Sequence, residues 1–125
     1  MKKRRFWTAT LLAIMFFEMR CENTKTISDE LIGVWRTPAI NHRGTFFELS
    51  KDQISFGAST GEVFHHAISR VKRKNDRYKA WILYTVYYLG EDSQTYQFPF
   101  YYRPSGLGTI FFKNKPNEAW SKDQP

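Results

Sequence analysis

The stretch that decides the fold reads Glu30-Leu31-Ile32-Gly33-Val34-Trp35-Arg36. Ser28 and Asp29 precede it, and a serine at this place can accept a hydrogen bond from an otherwise unpaired amide just downstream. Gly33 lets the backbone bend or approach another element closely, which a Cβ atom would hinder. Trp35 then supplies a large apolar anchor. The stretch therefore predicts a short turn followed by the first strand of a β-domain.

After this opening, short runs rich in Val, Ile, Thr, Phe, Tyr and Trp alternate with turn-forming clusters, which is typical of an all-β domain. The connections are short, which favours an up-and-down meander, and closing the meander removes its exposed edges. We therefore expect a small eight-stranded antiparallel up-and-down β-barrel. Its predicted strands are 32–37, 44–50, 53–57, 62–73, 78–89, 94–102, 107–113 and 118–121.

A short turn, then Leu31, Gly33 and Trp35, then a series of antiparallel strands resembles the opening of a lipocalin. In that family a Gly-x-Trp element closes one end of an eight-stranded barrel. The match covers residues 28–36, and it implies a lipocalin-like (calycin) barrel. The chain is shorter than a usual lipocalin. Bacterial metalloprotease inhibitors, which are also small eight-stranded barrels, are similar to almost the same degree.

The N-terminal residues have the pattern of an export signal. Four consecutive cations, Lys2 to Arg5, precede the mainly apolar run 6–17, which is too short to span ~30 Å of hydrocarbon as a helix. We expect residues 1–21 to be a signal peptide or lipoprotein signal, 22–27 a tether and 28–125 the barrel. The expected location is periplasmic, cell-envelope or extracellular.

The single cysteine, Cys21, follows this run directly, so a disulfide within the chain is impossible. Its position makes it a candidate for lipidation, which would give the protein its one contact with a membrane. Arg20 does not fit the usual lipobox, and the alternative is an incidental cysteine in a linker.

The net positive charge of the chain comes largely from residues 1–21. Residues 1–21 carry five Lys/Arg and one acid, which accounts for +4 of the formal net charge of +7 and leaves +3 for the other 104 residues. The charge is therefore poor evidence for nucleic-acid binding, and we expect no nucleic-acid partner.

The hairpin 62–89 defines the predicted faces of the barrel. A tight turn at Asn75-Asp76 would pair position i with position 151 − i, so that Ala67 faces Tyr84 inside the barrel and Lys72 faces Lys79 outside. The residues assigned to the inner face are Val63, His65, Ala67, Ser69 and Val71, opposite Tyr88, Val86, Tyr84, Ile82 and Ala80. With 18 aromatic residues among the 104 that follow position 21, the interior is expected to be filled by side chains.

The sequence gives little support for catalysis. It contains no Gly-x-Ser-x-Gly, no phosphate-binding glycine loop and no His-Glu-x-x-His motif. His65 and His66 are adjacent on a strand and point to opposite faces, while His42 lies in a turn. We expect no catalytic residues, no metal and no cofactor.

Two kinds of binding remain as hypotheses. The first is a small apolar ligand or lipid held at the barrel mouth, near Trp35, Tyr84, Tyr88 and Phe98. The second is a protein-interaction or protease-inhibitor module that uses the outer barrel surface. The basic run 70–77, with Trp81 and Tyr87 on the same predicted face, is either such a surface or a solvated hairpin tip.

Overall fold

The computed structural model describes residues 22–39, 42–75 and 80–123. The signal segment and Cys21 lie outside these described residues. Within them the chain forms one 3₁₀ turn, Asp29–Leu31, and otherwise strands and connections. The strands are β1 (Glu22–Thr24), β2 (Gly33–Arg36), β3 (Phe46–Leu49), β4 (Gln53–Gly57), β5 (Val63–Asn75), β6 (Ile82–Leu89), β7 (Thr95–Arg103), β8 (Thr109–Phe112) and β9 (Lys115–Lys122).

Strands β2 to β9 close into an eight-stranded antiparallel barrel. Each strand pairs with the next along the chain, and the pairing of β2 with β9 closes the ring. Every pairing in the ring is antiparallel. The prediction of an all-β, closed eight-stranded barrel is therefore confirmed.

Gly33 and Trp35 behave as their residue types predict, whereas the side chain of Ser28 makes no capping hydrogen bond to the turn Asp29–Leu31. Trp35 is completely buried, and its Nε1 donates a hydrogen bond of 2.9 Å to the carbonyl oxygen of Leu31. Gly33 has a φ of 145°, and a Cβ atom there would lie 2.9 Å from Cδ of Lys122. Glycine is favoured because L side chains rarely adopt this φ, whereas the flexible Lys122 side chain that lies over the position could move aside.

The segment 22–27, expected to be a tether, is instead part of the folded domain. Its first three residues form β1, which pairs with the second half of β5 through Glu22 opposite Arg73 and Thr24 opposite Val71. Ile27 is 3% exposed, and its amide donates to the carbonyl oxygen of Lys51. The polar composition of 22–27 concealed this role, because β1 lies on the outside of the barrel and only Ile27 enters the core.

The predicted register of the hairpin between β5 and β6 is wrong. Asn75 pairs with Ile82 and Val71 with Val86, so paired positions add up to 157 and not 151. The connection therefore spans residues 76–81 and is not a two-residue turn at Asn75-Asp76. Ala80 in this connection has a φ of 53°, a conformation that an alanine rarely adopts. Lys79, the predicted partner of Lys72, lies outside the described residues, and Lys72 pairs with Thr85.

A β-bulge at Ser69 also reverses part of the predicted inner face. Between Ile68 and Arg70 the strand β5 advances two residues while β6 advances only one, from Tyr88 to Tyr87. Such an insertion exchanges inward and outward positions along one strand. Val71 is therefore inward and buried as predicted, whereas Ala67 is exposed and pairs with Gln53, not Tyr84. Val63, His65 and Ser69 are likewise exposed, and the inward positions before the bulge are 64, 66 and 68.

The interior of the barrel is filled by aromatic rings around Phe47. This ring stacks on Trp35 with a centroid distance of 6.3 Å and packs against Trp120 at 5.2 Å. It also contacts Phe98 at 5.2 Å and Phe100 at 6.5 Å. Because Phe47 is 3% exposed, the central section of the barrel is filled core, as the aromatic content of the sequence predicts.

Candidate functional site: the aromatic mouth of the barrel

One end of the barrel, here called the mouth, carries inward-facing aromatic side chains that are only partly buried. Phe56 on β4 lies 5.5 Å from the ring of Tyr88 on β6 and 5.4 Å from that of Phe98 on β7. The His66 ring lies 5.0 Å from Tyr88, and Phe98 lies 5.5 Å from Phe112. Five consecutive strands thus contribute rings to one apolar surface, since each strand ends or begins at the mouth.

The rim of the mouth is apolar as well. Of the five large hydrophobic side chains that are most exposed among the described residues, four belong to strand ends at the mouth. These are Val63 at 42%, Phe64 at 40%, Leu89 at 44% and Tyr96 at 42%. The contiguity of exposed apolar side chains with an aromatic interior is a feature of ligand-binding or interaction sites.

Tyr96 is held in place at this rim. Its ring stacks on Tyr88 with a centroid distance of 5.8 Å, and its hydroxyl donates a hydrogen bond to Asp92. This bond lowers the pKa of Asp92 and raises the pKa of Tyr96. The ring of Tyr96 is therefore held at the rim by a ring contact and a hydrogen bond.

The four residues predicted to bind ligand do not lie together. Tyr88 and Phe98 line the mouth. Trp35 and Tyr84 lie at the opposite end, where the turn Asp29–Leu31 crosses the barrel, and they are 0% and 1% exposed. The two pairs share the inner face but are separated along the barrel by the packed ring of Phe47.

Tyr84 has a structural role at the turn end. Its hydroxyl donates to Oε1 of Glu30 at 2.9 Å and accepts from Nε of Arg73 at 3.2 Å. Arg73 also lies 3.5 Å from the carboxylate of Glu22 on β1. Burial, together with the hydrogen bond to Glu30, raises the pKa of Tyr84, so the side chain stays a neutral hydroxyl near pH 7. This network ties β5, β6 and the turn together.

Three polar side chains that the sequence analysis did not assign to a site also lie at the mouth. Glu118 and Trp120 are inward positions of β9, and His42 comes from the connection between β2 and β3. The Nε2 atom of His42 lies 3.1 Å from Oε2 of Glu118, and its ring lies 5.6 Å from that of Trp120. Alternation along β9 carries the signal for Glu118, because it is two residues before the inward Trp120.

A second polar pair lies on the outer face. Ser55 Oγ and His65 Nδ1 are 2.7 Å apart, as cross-strand neighbours on β4 and β5. This distance matches that between a nucleophile and its base. Ser55 is, however, only 3% exposed, so its hydroxyl is not open to a substrate. The pair therefore acts as a part-buried hydrogen bond between strands, with Ser55 buried and His65 exposed.

The part of the chain that the structure describes contains no group of three or more His, Cys, Asp or Glu side chains able to hold a metal ion. Among the described residues there is also no helix that is long and apolar enough to cross a membrane. Comparison of the chain with protein-family models, with curated proteins and with solved structures finds no match. The fold and the site therefore define only a structural class, which is a small closed eight-stranded β-barrel with an aromatic mouth.

Proposed function

We propose that this protein is a non-enzymatic binding protein of lipocalin-like form, which holds a small apolar ligand or lipid at the mouth. The observation that supports the proposal is the surface formed by Phe56, Tyr88, Phe98 and Phe112, which is partly buried and continuous with an exposed apolar rim. A hydrophobic surface of this kind is left uncovered at a cost in free energy, which an apolar ligand would offset. The filled centre limits the ligand to a small molecule or to one end of a longer chain.

Titration with alkyl alcohols and fatty acids, followed through tryptophan fluorescence, tests this proposal. Trp120 lies 5.5 Å from Phe112 and is therefore placed to report on the mouth. Saturable changes at micromolar concentrations of at least one compound would support the proposal. Fluorescence that stays unchanged across the whole series would contradict it.

Two adjacent residues of β6 provide a matched pair of variants. Tyr88→Ala removes a ring from the mouth and should weaken ligand binding about tenfold, since aromatic contacts contribute roughly 0.5–1.5 kcal/mol beyond area burial. Tyr87→Ala removes a ring of the outer face, where Arg70 lies 4.1 Å from the ring centroid, and should leave ligand binding unchanged. Thermal melting of both variants establishes that they are folded. Equal losses of affinity would place the ligand elsewhere.

A second candidate function is docking of an acidic protein partner on the outer face. Leu83, Tyr101 and Phe111 form a cross-strand row there, and Trp81 packs on Phe111 with a centroid distance of 4.6 Å. The cations of β5 that point outward lie beside this row: Arg70, Lys72 and Lys74. Aromatic side chains and arginine are enriched at protein interfaces, so the aromatic row and Arg70 carry this candidate more than the two lysines do. In this case Tyr87→Ala, and not Tyr88→Ala, would be the damaging variant for partner binding.

We further propose that the protein is exported and acts in the periplasm, the cell envelope or outside the cell. The support is the pattern of four cations followed by a short apolar run in residues 1–21. Fractionation of expressing cells, with mass spectrometry of the mature N-terminus and of Cys21, provides the test. Recovery of the full-length chain from the cytoplasm would contradict export.

A further inference from the structure

Strand β1 fixes the point at which residues 1–21 are joined to the barrel. It runs antiparallel to β5, with Thr24 opposite Val71 and Glu22 opposite Arg73. The path from Thr24 back to Glu22 therefore leads toward the end of β5, where the connection 76–81 begins. This is the turn end of the barrel, and the mouth lies at the other end. The segment that holds the apolar run and the cysteine is thus attached to the turn end.

Three cations of the described chain lie near this point of attachment. Lys72 and Lys74 are exposed outward positions of β5, and Arg103 is exposed where β7 reaches the turn end. None of the three takes part in an ion pair within the described residues, whereas Arg73, between the two lysines, already contacts the carboxylate of Glu22. Cations on an open surface attract anionic partners, including the headgroups of acidic lipids.

Apolar and aromatic side chains adjoin these cations. Leu107, in the connection between β7 and β8 at the same end, is 67% exposed, more than any other large hydrophobic side chain of the described residues. Trp81 packs on Tyr101 with a centroid distance of 6.0 Å, and Leu83 pairs with both Tyr101 and Lys74. Trp and Tyr are enriched at the membrane–water interface, because each has an apolar ring and a polar N–H or O–H group.

A lipid surface fits this arrangement better than an acidic protein does. Glu22, the first described residue, is already paired with β5, so no linker separates residues 1–21 from the barrel. A membrane held through the apolar run 6–17, or through an acyl chain on Cys21, would therefore lie next to the exposed lysines. An acidic protein would account for the cations, but not for their position beside an apolar segment of the chain.

We propose that the turn end of the barrel docks on an anionic membrane surface. Lys72, Lys74 and Arg103 lie against the lipid phosphates. Trp81 and Leu107 enter the headgroup region, and the mouth points away from the membrane. This inference goes beyond ligand binding at the mouth and does not depend on it.

Binding of the full chain to phosphatidylcholine vesicles with and without phosphatidylglycerol, measured by co-sedimentation, tests the inference. The unaltered protein should prefer the vesicles that contain phosphatidylglycerol. Lys72→Ala combined with Lys74→Ala should weaken binding to these vesicles about tenfold or more, because both cations are lost from the surface that faces the lipid.

Lys113→Ala combined with Lys115→Ala is the matched control. It removes the same charge from exposed positions at the mouth and should weaken binding about twofold or less. The two ends lie roughly 20–25 Å apart along the eight residues of β6. That separation exceeds the Debye length of about 8 Å at physiological salt. Both variants keep residues 1–21, so the contribution of that segment is the same, and thermal melting establishes that both are folded.

Trp81→Phe provides an independent measure of the docked orientation. Brominated phosphatidylcholine quenches tryptophans that reach the lipid, so the unaltered protein on vesicles should lose more fluorescence than Trp81→Phe. Trp35 and Trp120 are buried in the barrel and are common to both proteins. Equal quenching in the two would overturn the inference even if the lysine variant does not fold.

Two outcomes of the sedimentation experiment would also overturn the inference. Equal losses for the two lysine pairs would mean that net charge alone attracts the protein to the vesicles. Undiminished binding of the variant that lacks Lys72 and Lys74 would mean that the turn end does not face the lipid. In either case an acidic protein is left as the candidate partner of the outer face.

Discussion

Replacing Trp35 with alanine is expected to lower the free energy of unfolding by roughly 3–5 kcal/mol, as for other buried large-to-small changes. Trp35 is 0% exposed, stacks on Phe47 and meets Tyr102 edge-to-face at a centroid distance of 6.3 Å. The substitution also leaves the carbonyl oxygen of Leu31 without its hydrogen bond from Nε1. Such a loss is a large part of the ~5–15 kcal/mol that a domain typically has.

Urea denaturation monitored by circular dichroism measures this effect. Leu107→Ala is the control, since Leu107 is 67% exposed in the connection between β7 and β8 and should change stability by less than about 0.5 kcal/mol. Trp35→Phe should give an intermediate loss, because it keeps the ring packing and removes the hydrogen bond. A midpoint for Trp35→Ala close to that of Leu107→Ala would show that Trp35 does not anchor the barrel.

The strands of this barrel could be predicted because their signals are local. β4 was predicted at 53–57 and is formed by Gln53–Gly57, and the Gly-x-Trp opening forms the turn and strand that its residues indicate. Alternation, turn residues and the positive φ of Gly33 all act within a few residues. Closure also follows, since eight short antiparallel strands with apolar faces have few other ways to cover their edges.

Register and faces could not be predicted to the same degree, because both depend on how two strands are joined. The connection 76–81 and the bulge at Ser69 each change which residues meet across the hairpin. Ser69 has no feature that distinguishes a bulge from a regular position: its Oγ donates to the carbonyl oxygen of Tyr87, an interaction that exists only once β6 is in place. A two-residue turn was the simplest interpretation of Asn75-Asp76, and it shifted the pairing by six residues.

The types of residue at the candidate site could be predicted from the sequence, but their positions along the barrel axis could not. The aromatic content indicates an interior lined by rings, yet only tertiary packing determines that Phe98 lies at the mouth and Tyr84 at the turn end. Glu118 was missed although the predicted strand 118–121 contained it, because the inward position of Trp120 was not extended two residues back along the strand, which begins at Lys115. His42 reaches Glu118 from another part of the chain, so no spacing in the sequence could indicate their proximity.

Substitution of Val71 by arginine is the second change with a large expected effect. Val71 is 2% exposed on the inner face and pairs with Val86, which is 0% exposed. An arginine there would bury an unpaired charge among apolar groups, and we expect a loss of several kcal/mol or of cooperative unfolding altogether. Thermal and urea unfolding measure the loss.

Ala67→Arg is the matched control, because it introduces the same charge four residues earlier on the same strand. Regular alternation would place both residues on one face, and the bulge at Ser69 is what separates them. Ala67 is exposed and pairs with Gln53, so its arginine variant should stay within about 0.5 kcal/mol of the unaltered protein. If Ala67→Arg destabilises the protein as strongly as Val71→Arg, the strand runs without a bulge and Ala67 belongs to the interior. If only Val71→Arg destabilises the protein, the inner and outer faces of β5 are exchanged at Ser69. The same result supports the inward position of His66 at the mouth.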